Sequence, residues 1–169
     1  MAQGIEHVIA RQKEHAKQRV DAALFEYFAG GSDEEIALAE AGAAWASYRF
    51  LPHVLRDVSD VDVSCLLFGQ RFASPVAAAP IAYQGLLHAE GEVATARGAR
   101  DANTLFILSA RSSRIVEEVA ATAGPWWMQV YVTADRTLTE GIVSRAAACG
   151  AAALVLTGDT PYLGRRVHG

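Results

Sequence analysis

Four uncharged side chains that form hydrogen bonds stand at or near the ends of successive predicted strands. They are Ser109, Gln129, Tyr131 and Thr157. Ligands of parallel sheets bind at the carboxyl ends of the strands, so these side chains are candidates for one site. Neutral donors and acceptors suit a hydrogen-bonding heterocycle better than a nucleotide phosphate. Taken alone, Gln129 and Tyr131, which alternate along one strand, could equally be satisfied polar residues of a core.

Charged residues follow two of the same strands. Arg111 comes just after the second strand, and Asp159 and the pair Arg165 and Arg166 follow the fourth. An arginine can bind a carboxylate through two parallel hydrogen bonds. Asp159 could instead cap a turn, and adjacent arginines are more often a solvated pair than a substrate clamp. The sequence alone leaves these alternatives open.

A repeated order of strand, loop and helix must position these residues. The strands are predicted at about 76–81, 104–109, 127–132 and 153–158, and the helices between them at about 90–102, 113–122 and 136–149. The first strand lies in the uncharged run 75–84 and is predicted to be buried on both faces. Pro80 should lie near its end, because proline has no N–H for the strand ladder. This alternation predicts parallel strands joined by crossover helices.

The first 74 residues follow a different pattern. One amphipathic helix is predicted over residues 5–28, ended by a left-handed glycine at 30–31. Ser32 and Glu35 form a capping-box pattern for a second helix that runs to about residue 44. A hairpin is predicted from strands 61–68 and 71–74, with its turn at 69–70.

Two architectures fit this order of elements. A doubly wound sheet would be complete in 169 residues, whereas a (β/α)8 barrel needs about 250. No GxGxxG follows a strand and no Walker-type loop is present, which disfavours the doubly wound dinucleotide fold. On the barrel interpretation, residues 1–74 form N-terminal helices and a hairpin, and residues 75–169 form the first half of the barrel, together as one domain.

The composition disfavours several classes of protein. The net charge is −4 and no basic run occurs, which argues against binding of nucleic acid. No apolar run reaches the roughly 18 residues that a membrane span needs. Residues 1–17 lack an apolar leader pattern, and Cys65 and Cys149 match no CxxC motif, so we expect a cytoplasmic protein. The five histidines show no ligand spacing, and we predict no metal site.

Six stretches of the sequence resemble the FMN-dependent 2-hydroxy acid oxidases and dehydrogenases, the family of glycolate oxidase and of lactate and mandelate dehydrogenases. They follow the family's order over nearly the whole chain, at 27–34, 55–58, 79–84, 88–92, 129–131 and 156–166. The resemblance implies an α/β fold, a (β/α)8 TIM barrel of this type. It also implies FMN as cofactor and oxidation of an L-2-hydroxy acid to a 2-oxo acid, with the flavin taking two electrons.

The resemblance further implies roles for individual residues. Tyr27 would hold the substrate carboxylate, Tyr131 would contact the substrate hydroxyl and stabilise developing charge, and Arg166 would pair with a carboxylate near the entrance. The residues implied to hold the flavin are Ala79, Pro80, Ile81, Ala82, Ser109, Gln129 and Thr157.

Several residues depart from the family's pattern. Arg111 stands where many members carry a tryptophan or another uncharged residue, which favours a second contact with a carboxylate or polar tail of the substrate. Tyr83 replaces a methionine of the plant-type members and indicates an aromatic substrate such as a mandelate. Ala110 replaces a serine often found beside the flavin, and Gly158 replaces a bulkier strand residue.

The resemblance places the family's histidine base, a lysine on the flavin and the glycine-rich phosphate site later than this sequence extends. His168 is too early to be that base. We therefore expect the N-terminal half of an oxidase that is completed by the missing half and acts on a 2-hydroxy acid, a small-molecule substrate. An alternative is an inactive half-barrel that pairs with another half or with itself as a homo-oligomer. A non-flavin binding domain on the same scaffold is the third alternative.

Overall fold

The structure is a computed structural model that describes residues 5–159, 162 and 164–167. The chain divides into two compact units. Unit 1 comprises Met1–Arg56 and Tyr162–Gly169, and unit 2 comprises Asp57–Pro161. The predicted turn after Asp159 and the histidine at 168 involve residues outside this described part, and the predicted division at residue 74 stays a prediction. None of the described helices is long and apolar enough to cross a bilayer.

Unit 1 contains three helices: α1 (Ile5–Arg19), α2 (Ala22–Ala29) and α3 (Ile36–Ser47). The prediction of one helix over residues 5–28 is wrong, because α1 ends at Arg19 and a separate helix begins after Asp21. The Asp21 side chain accepts a hydrogen bond from the Ala23 N–H at 3.0 Å and caps a new helix. Aspartate stabilises such a start because its carboxylate pairs with an N–H that has no partner within the helix.

The connection between α2 and α3 differs from the prediction in two ways. Gly30 is extended (φ −82°, ψ 160°) rather than left-handed, and glycine is needed there because a Cβ would lie 2.7 Å from the Glu26 carbonyl oxygen. The predicted capping box is also wrong. Glu35 itself precedes α3 in a left-handed conformation (φ 59°), and its Oε1 accepts a hydrogen bond from the Gly31 N–H at 2.8 Å.

Unit 2 begins with the predicted hairpin, which is confirmed. Strands β1 (Cys65–Leu67) and β2 (Gln70–Phe72) pair antiparallel. The turn residues are Phe68 and Gly69, one position earlier than predicted, and both have positive φ (46° and 78°). Two consecutive positive φ values are typical of the type I′ turn, whose twist matches that of a hairpin.

The rest of unit 2 confirms the predicted alternation of strands and helices. The strands β3 (Ala77–Ala78), β4 (Leu105–Leu108), β5 (Trp126–Val130) and β6 (Leu154–Leu156) form one parallel sheet in that order. The helices that connect them are α4 (Glu92–Asp101), α5 (Val116–Ala120) and α6 (Arg136–Ala148), and a short 3₁₀ turn (Gln84–Leu86) precedes α4.

The two faces of this sheet have different surroundings. On one face, Phe106, Leu108, Trp126, Met128 and Val130 form a buried core with residues of the three helices. Side chains alternate along a strand, so Ile107, Trp127 and Gln129 lie on the opposite face. Of these, Ile107 and Trp127 are only half-buried, whereas Gln129 is buried. The second face therefore carries the candidate polar site.

The prediction that the first strand is buried on both faces is wrong for the described chain. β3 is an edge strand of only two residues, and the neighbouring Val76 and Ile81 are 67% and 50% exposed. It ends before Pro80, as expected. The opposite edge, β6, exposes Leu154 and Leu156. Both edges of the sheet thus present apolar side chains and unpaired strand backbone.

A bidentate ion pair joins α5 to α6 on the outer surface. Arg145 Nε and Nη2 donate to Glu117 Oε1 and Oε2 at 2.8 and 2.6 Å. Hydrogen bonds from the Arg145 side chain are the main cause that lowers the pKa of Glu117 from 4.5 to about 2. The pair links two crossover helices that also share the core beneath them.

Replacing Glu117 with glutamine should lower the urea midpoint of unfolding at neutral pH and have less effect in acid. The folded pKa lies below the usual value, so the pair stabilises the fold fully above pH 4.5 and loses this contribution as the pH falls towards about 2. The effect should be modest, because the two side chains are 46% and 49% exposed. Glu118→Gln, on the same helix, is the control for the loss of one surface carboxylate. A gap between the native protein and Glu117→Gln that stays constant with pH would contradict the prediction.

Candidate functional site

The side-chain amide of Gln129 ties together the ends of three neighbouring strands. It is 2% exposed. Its Oε1 accepts a hydrogen bond from the Ala110 N–H, just after β4, at 2.9 Å. Its Nε2 donates to Thr157 Oγ1, just after β6, at 2.8 Å. The structure thus brings Gln129 and Thr157 together at the carboxyl edge of the sheet, as the positions of the strand ends predicted.

Ser109 extends this polar edge along β4. It is 6% exposed, and its Oγ accepts a hydrogen bond from the Arg111 N–H at 3.1 Å. A hydroxyl oxygen that accepts a hydrogen bond keeps its own hydrogen to donate, and a glutamine amide offers two hydrogens and two lone pairs. Ser109, Gln129 and Thr157 therefore retain donors and an acceptor after their contacts with the protein. We call these three residues the neutral rim.

The segment 79–82 leaves the sheet beside this edge. It lies between β3 and the 3₁₀ turn and contains Ala79, Pro80, Ile81 and Ala82. Ala79 and Ile81 are exposed, and Pro80 and Ala82 are half-buried. Three of these four residues are alanine or proline, so little side-chain volume covers the backbone. A flat ligand can approach the main chain closely here.

Arg111 and two tyrosines form a second cluster at the same edge. Tyr83, which has a positive φ of 58°, donates its N–H to the Arg111 carbonyl oxygen at 3.0 Å. Arg111 Nη1 lies 3.3 Å from the Tyr83 hydroxyl, and its guanidinium carbon lies 5.6 Å from the ring centroid of Tyr131. The structure therefore places a cation against the phenol predicted to contact the substrate.

Tyr27 and Arg166 meet in unit 1. Arg166 Nη1 donates to the carbonyl oxygens of Tyr27 and Gly30, both at 2.9 Å, and its guanidinium carbon lies 5.3 Å from the Tyr27 ring centroid. These residues line a cavity of about 200 Å³ together with Glu35. The neighbouring Arg165 is 84% exposed and pairs with Asp33. The arginine pair thus divides into one solvated side chain and one that caps α2.

Glu92, the first residue of α4, is a buried residue that was not predicted from the sequence. Its side chain is 0% exposed and accepts hydrogen bonds from the loops that follow β3 and β4. An acidic residue in the first turn of a helix normally lies at the surface. The only feature of the sequence that pointed to Glu92 was therefore its place in the family-like stretch 88–92. Within the described residues, no three His, Cys, Asp or Glu side chains group as metal ligands would.

The family model of the FMN-dependent dehydrogenases matches residues 16–168. The chain belongs to this family. Among the relatives of this family member, 4-hydroxymandelate oxidase of Amycolatopsis orientalis is 41% identical over 86% of the chain and 41% of the relative. Glycolate oxidase of Spinacia oleracea is 40% identical over 89% of the chain and 41% of the relative. The chain spans about two-fifths of the length of these curated relatives.

Solved structures of mandelate oxidase share the fold of this family member. The structure with (S)-4-hydroxymandelic acid has a TM-score of 0.89 at 39% identity and covers 93% of this chain and 44% of the other. One variant of mandelate oxidase with a C4a-OH-FMN adduct has a TM-score of 0.87 at 39% identity, over 92% of this chain and 48% of the other. The parallel sheet with its helices is thus part of a TIM barrel, and FMN is the cofactor of the family.

The neutral rim fits the ring of FMN. The ring presents carbonyl oxygens and an N–H along one edge, which need donors and an acceptor rather than charges. Ser109, Gln129 and Thr157 offer both from buried or half-buried positions, and 79–82 offers backbone beside them. The neutral rim and 79–82 would therefore hold the ring.

Replacing Gln129 with leucine should reduce the free energy of unfolding by about 1–3 kcal/mol. The change removes both hydrogen bonds of the amide and leaves the Ala110 N–H without its partner. The exposed Gln12 provides a matched control, because Gln12→Leu should change stability by less than about 0.5 kcal/mol. Urea unfolding of the two variants beside the native protein measures the difference. Equal stability of the two variants would contradict the prediction.

Proposed function

We propose that the protein oxidises an L-2-hydroxy acid to a 2-oxo acid with FMN. The observation that supports this most directly is the neutral rim, in which the buried Gln129 amide connects the ends of β4, β5 and β6. When bound, FMN supplies the acceptor for the two electrons that leave the substrate. Ser109, Gln129 and Thr157 would hydrogen-bond the ring, and the backbone of 79–82 would lie along it.

Three side chains would bind and orient the substrate. Tyr27 and Arg166 would hold its carboxylate, because a guanidinium and a phenol hydroxyl can both donate to one anion. Tyr131 would contact the substrate hydroxyl and stabilise charge that develops on its oxygen. We further propose an aryl hydroxy acid such as a mandelate, supported by Tyr83 at this edge and by relatives named as mandelate oxidases.

Further βα units would complete the site. The edge strands β3 and β6 lie beside the exposed side chains of Val76, Leu154 and Leu156. Additional strands would pair with the edge backbone, and their helices would cover these side chains. The resemblance assigns the proton-accepting histidine to such later units, and general-base catalysis alone is typically worth about 10²–10⁴-fold. We propose that these units belong to the same polypeptide or to a second subunit. An inactive half-barrel that only pairs with another copy is the alternative.

We also propose that the protein acts in the cytoplasm without a nucleic-acid partner. Cys65 and Cys149 are both free thiols, which suits a reducing compartment. The net charge of −4 disfavours binding of a polyanion such as nucleic acid.

A visible absorption spectrum and an intact mass of one purified sample test the proposed function. Flavin bands that bleach when (S)-mandelate or glycolate is added without oxygen are expected. A mass above that of 169 residues would show that further units accompany the chain. A native sample that stays colourless after incubation with FMN would contradict the proposed function. A flavin that no hydroxy acid reduces would favour the inactive half-barrel.

The Arg111 side chain should select substrates that carry a polar or anionic tail. It lies beside the Tyr83 hydroxyl and the Tyr131 ring, at a position that is uncharged in many members of the family. Arg111→Trp should reduce kcat/KM for a mandelate with a ring carboxylate by about tenfold or more relative to unsubstituted mandelate. Arg71→Gln is the control, because Arg71 pairs with Asp62 beside the hairpin. Unchanged substrate preference in Arg111→Trp would disprove this role.

A further inference from the structure

Glu92 is a buried carboxylate to which the resemblance assigned no role. Its side chain is 0% exposed. Oε1 accepts hydrogen bonds from the Gln84 N–H at 3.1 Å and from the Ser113 N–H at 3.0 Å. Oε2 accepts one from the Ser113 hydroxyl at 2.7 Å. One carboxylate thus binds the loop after β3 and the loop after β4 at the same time.

The two loops pack so closely around this contact that there is no space for a side chain at Gly85 or Gly91. Ser113 Oγ also accepts a hydrogen bond from the Gly85 N–H at 2.7 Å. A Cβ at Gly85 would lie 2.6 Å from that oxygen, and a Cβ at Gly91, where φ is 51°, would lie 3.0 Å from the Gly85 nitrogen. Both glycines are therefore required by the close approach of the loops. We call Glu92, Ser113, Gln84 and Gly85 the loop junction.

The loop junction is connected by hydrogen bonds to the segment that would lie along the flavin. Gln84 donates its N–H to Glu92, and its side-chain Nε2 lies 3.3 Å from the Ile81 carbonyl oxygen. Thr95, one turn further along α4, donates its hydroxyl to the Gln84 side chain. The Gln84 side chain is thus held from the helix side and reaches back to 79–82.

The loop junction is also connected to the neutral rim. The residue before Gln84, Tyr83, donates its N–H to the Arg111 carbonyl oxygen at 3.0 Å. Arg111 in turn donates its N–H to Ser109 Oγ, and the Ala110 N–H donates to the Gln129 amide. The Tyr83 contact joins the two loops, the Arg111 contact lies within the segment that follows β4, and the Ala110 contact joins that segment to β5. A change at Glu92 therefore has a continuous route to the neutral rim.

The protonation state of Glu92 suits this arrangement. Burial raises its pKa, but the hydrogen bonds from the Ser113 side chain and N–H and from the Gln84 N–H lower it, and the net pKa lies below the usual value. An ionised carboxylate accepts all three of these hydrogen bonds. A glutamine side chain accepts through one oxygen only and would turn an NH₂ group towards the Ser113 hydroxyl.

We propose that Glu92 is a positioning residue for the flavin site, which holds the loops after β3 and β4 in the arrangement that presents 79–82 and the neutral rim to the ring. This inference rests on the proposed function. It assigns to Glu92 no contact with the flavin or the substrate. Its effect reaches the ring through the loop junction.

Hydrogen exchange of the backbone amides tests the proposal, with FMN titration as the second readout. In Glu92→Gln, the amides of Gln84, Gly85 and Ser113 should exchange about tenfold faster or more. The Gln84 and Ser113 amides lose an ionised acceptor, and the Gly85 amide donates to Ser113 Oγ, which itself loses that acceptor. The Ala110 amide should also lose protection, whereas the Met128 amide in the core should not. The dissociation constant of FMN should rise by about tenfold.

Matched variants separate positioning from a general loss of stability. Glu90→Gln is the control, because Glu90 is an exposed carboxylate just before α4 that pairs with Arg97, and it should match the native protein. Ser113→Ala should resemble Glu92→Gln, and the double change Glu92→Gln with Ser113→Ala should be less than additive.

Three results would overturn the inference: unchanged Ala110 exchange in Glu92→Gln, equal loss of protection at Met128, or additive effects of Glu92→Gln and Ser113→Ala. Native protein that binds no FMN would contradict the proposed function instead. The exchange of the Ala110 amide would still decide whether Glu92 positions the neutral rim, so the two failures are distinguishable.

Discussion

Side chains on a strand alternate between the two faces of its sheet, and in β5 this alternation sets both the core and the candidate site. Trp126, Met128 and Val130 pack against the helices, which forces Trp127 and Gln129 to the other face. A polar side chain that is 2% exposed must have partners there, and Gln129 has them just past the ends of both neighbouring strands. A shift of one residue in register would place Gln129 in the apolar core and destroy both features at once.

The polar residues of the site were predictable because parallel strands end at one edge. Ser109, Gln129 and Thr157 could be assigned from hydrophobic runs and the residues that follow them, and the structure brings them together. Glu92 could not be found in this way. A glutamate in the first turn of a helix is usually solvated, and its burial depends on two loops that fold back over it from other parts of the chain. Local pattern carries no signal for such a contact.

The wrong predictions of local structure have related physical causes. The apolar period of residues 5–28 continues through Asp21, so periodicity alone predicts one helix, but a side chain that caps its own following N–H starts another. Glu35 could pair with either of two nearby N–H groups, and the structure pairs it with Gly31 rather than in a capping box. The uncharged run at β3 indicates a strand suited to burial. The sequence pattern of one segment does not reveal whether neighbouring strands and helices cover it. In the structure β3 lies at the edge of the sheet.

Arg166 caps a helix in the structure, and in the proposed function it would also bind a ligand. The carbonyl oxygens at the end of a helix have no partner within it and carry negative partial charge. Arg166 Nη1 donates to two of the carbonyls at the end of α2, those of Tyr27 and Gly30. A guanidinium has five N–H groups, so this cap leaves others to meet an anion, and no described carboxylate forms an ion pair with it. A substrate carboxylate could therefore bind without releasing the helix cap. The cation would already be ordered before binding, which removes part of the entropic cost of association.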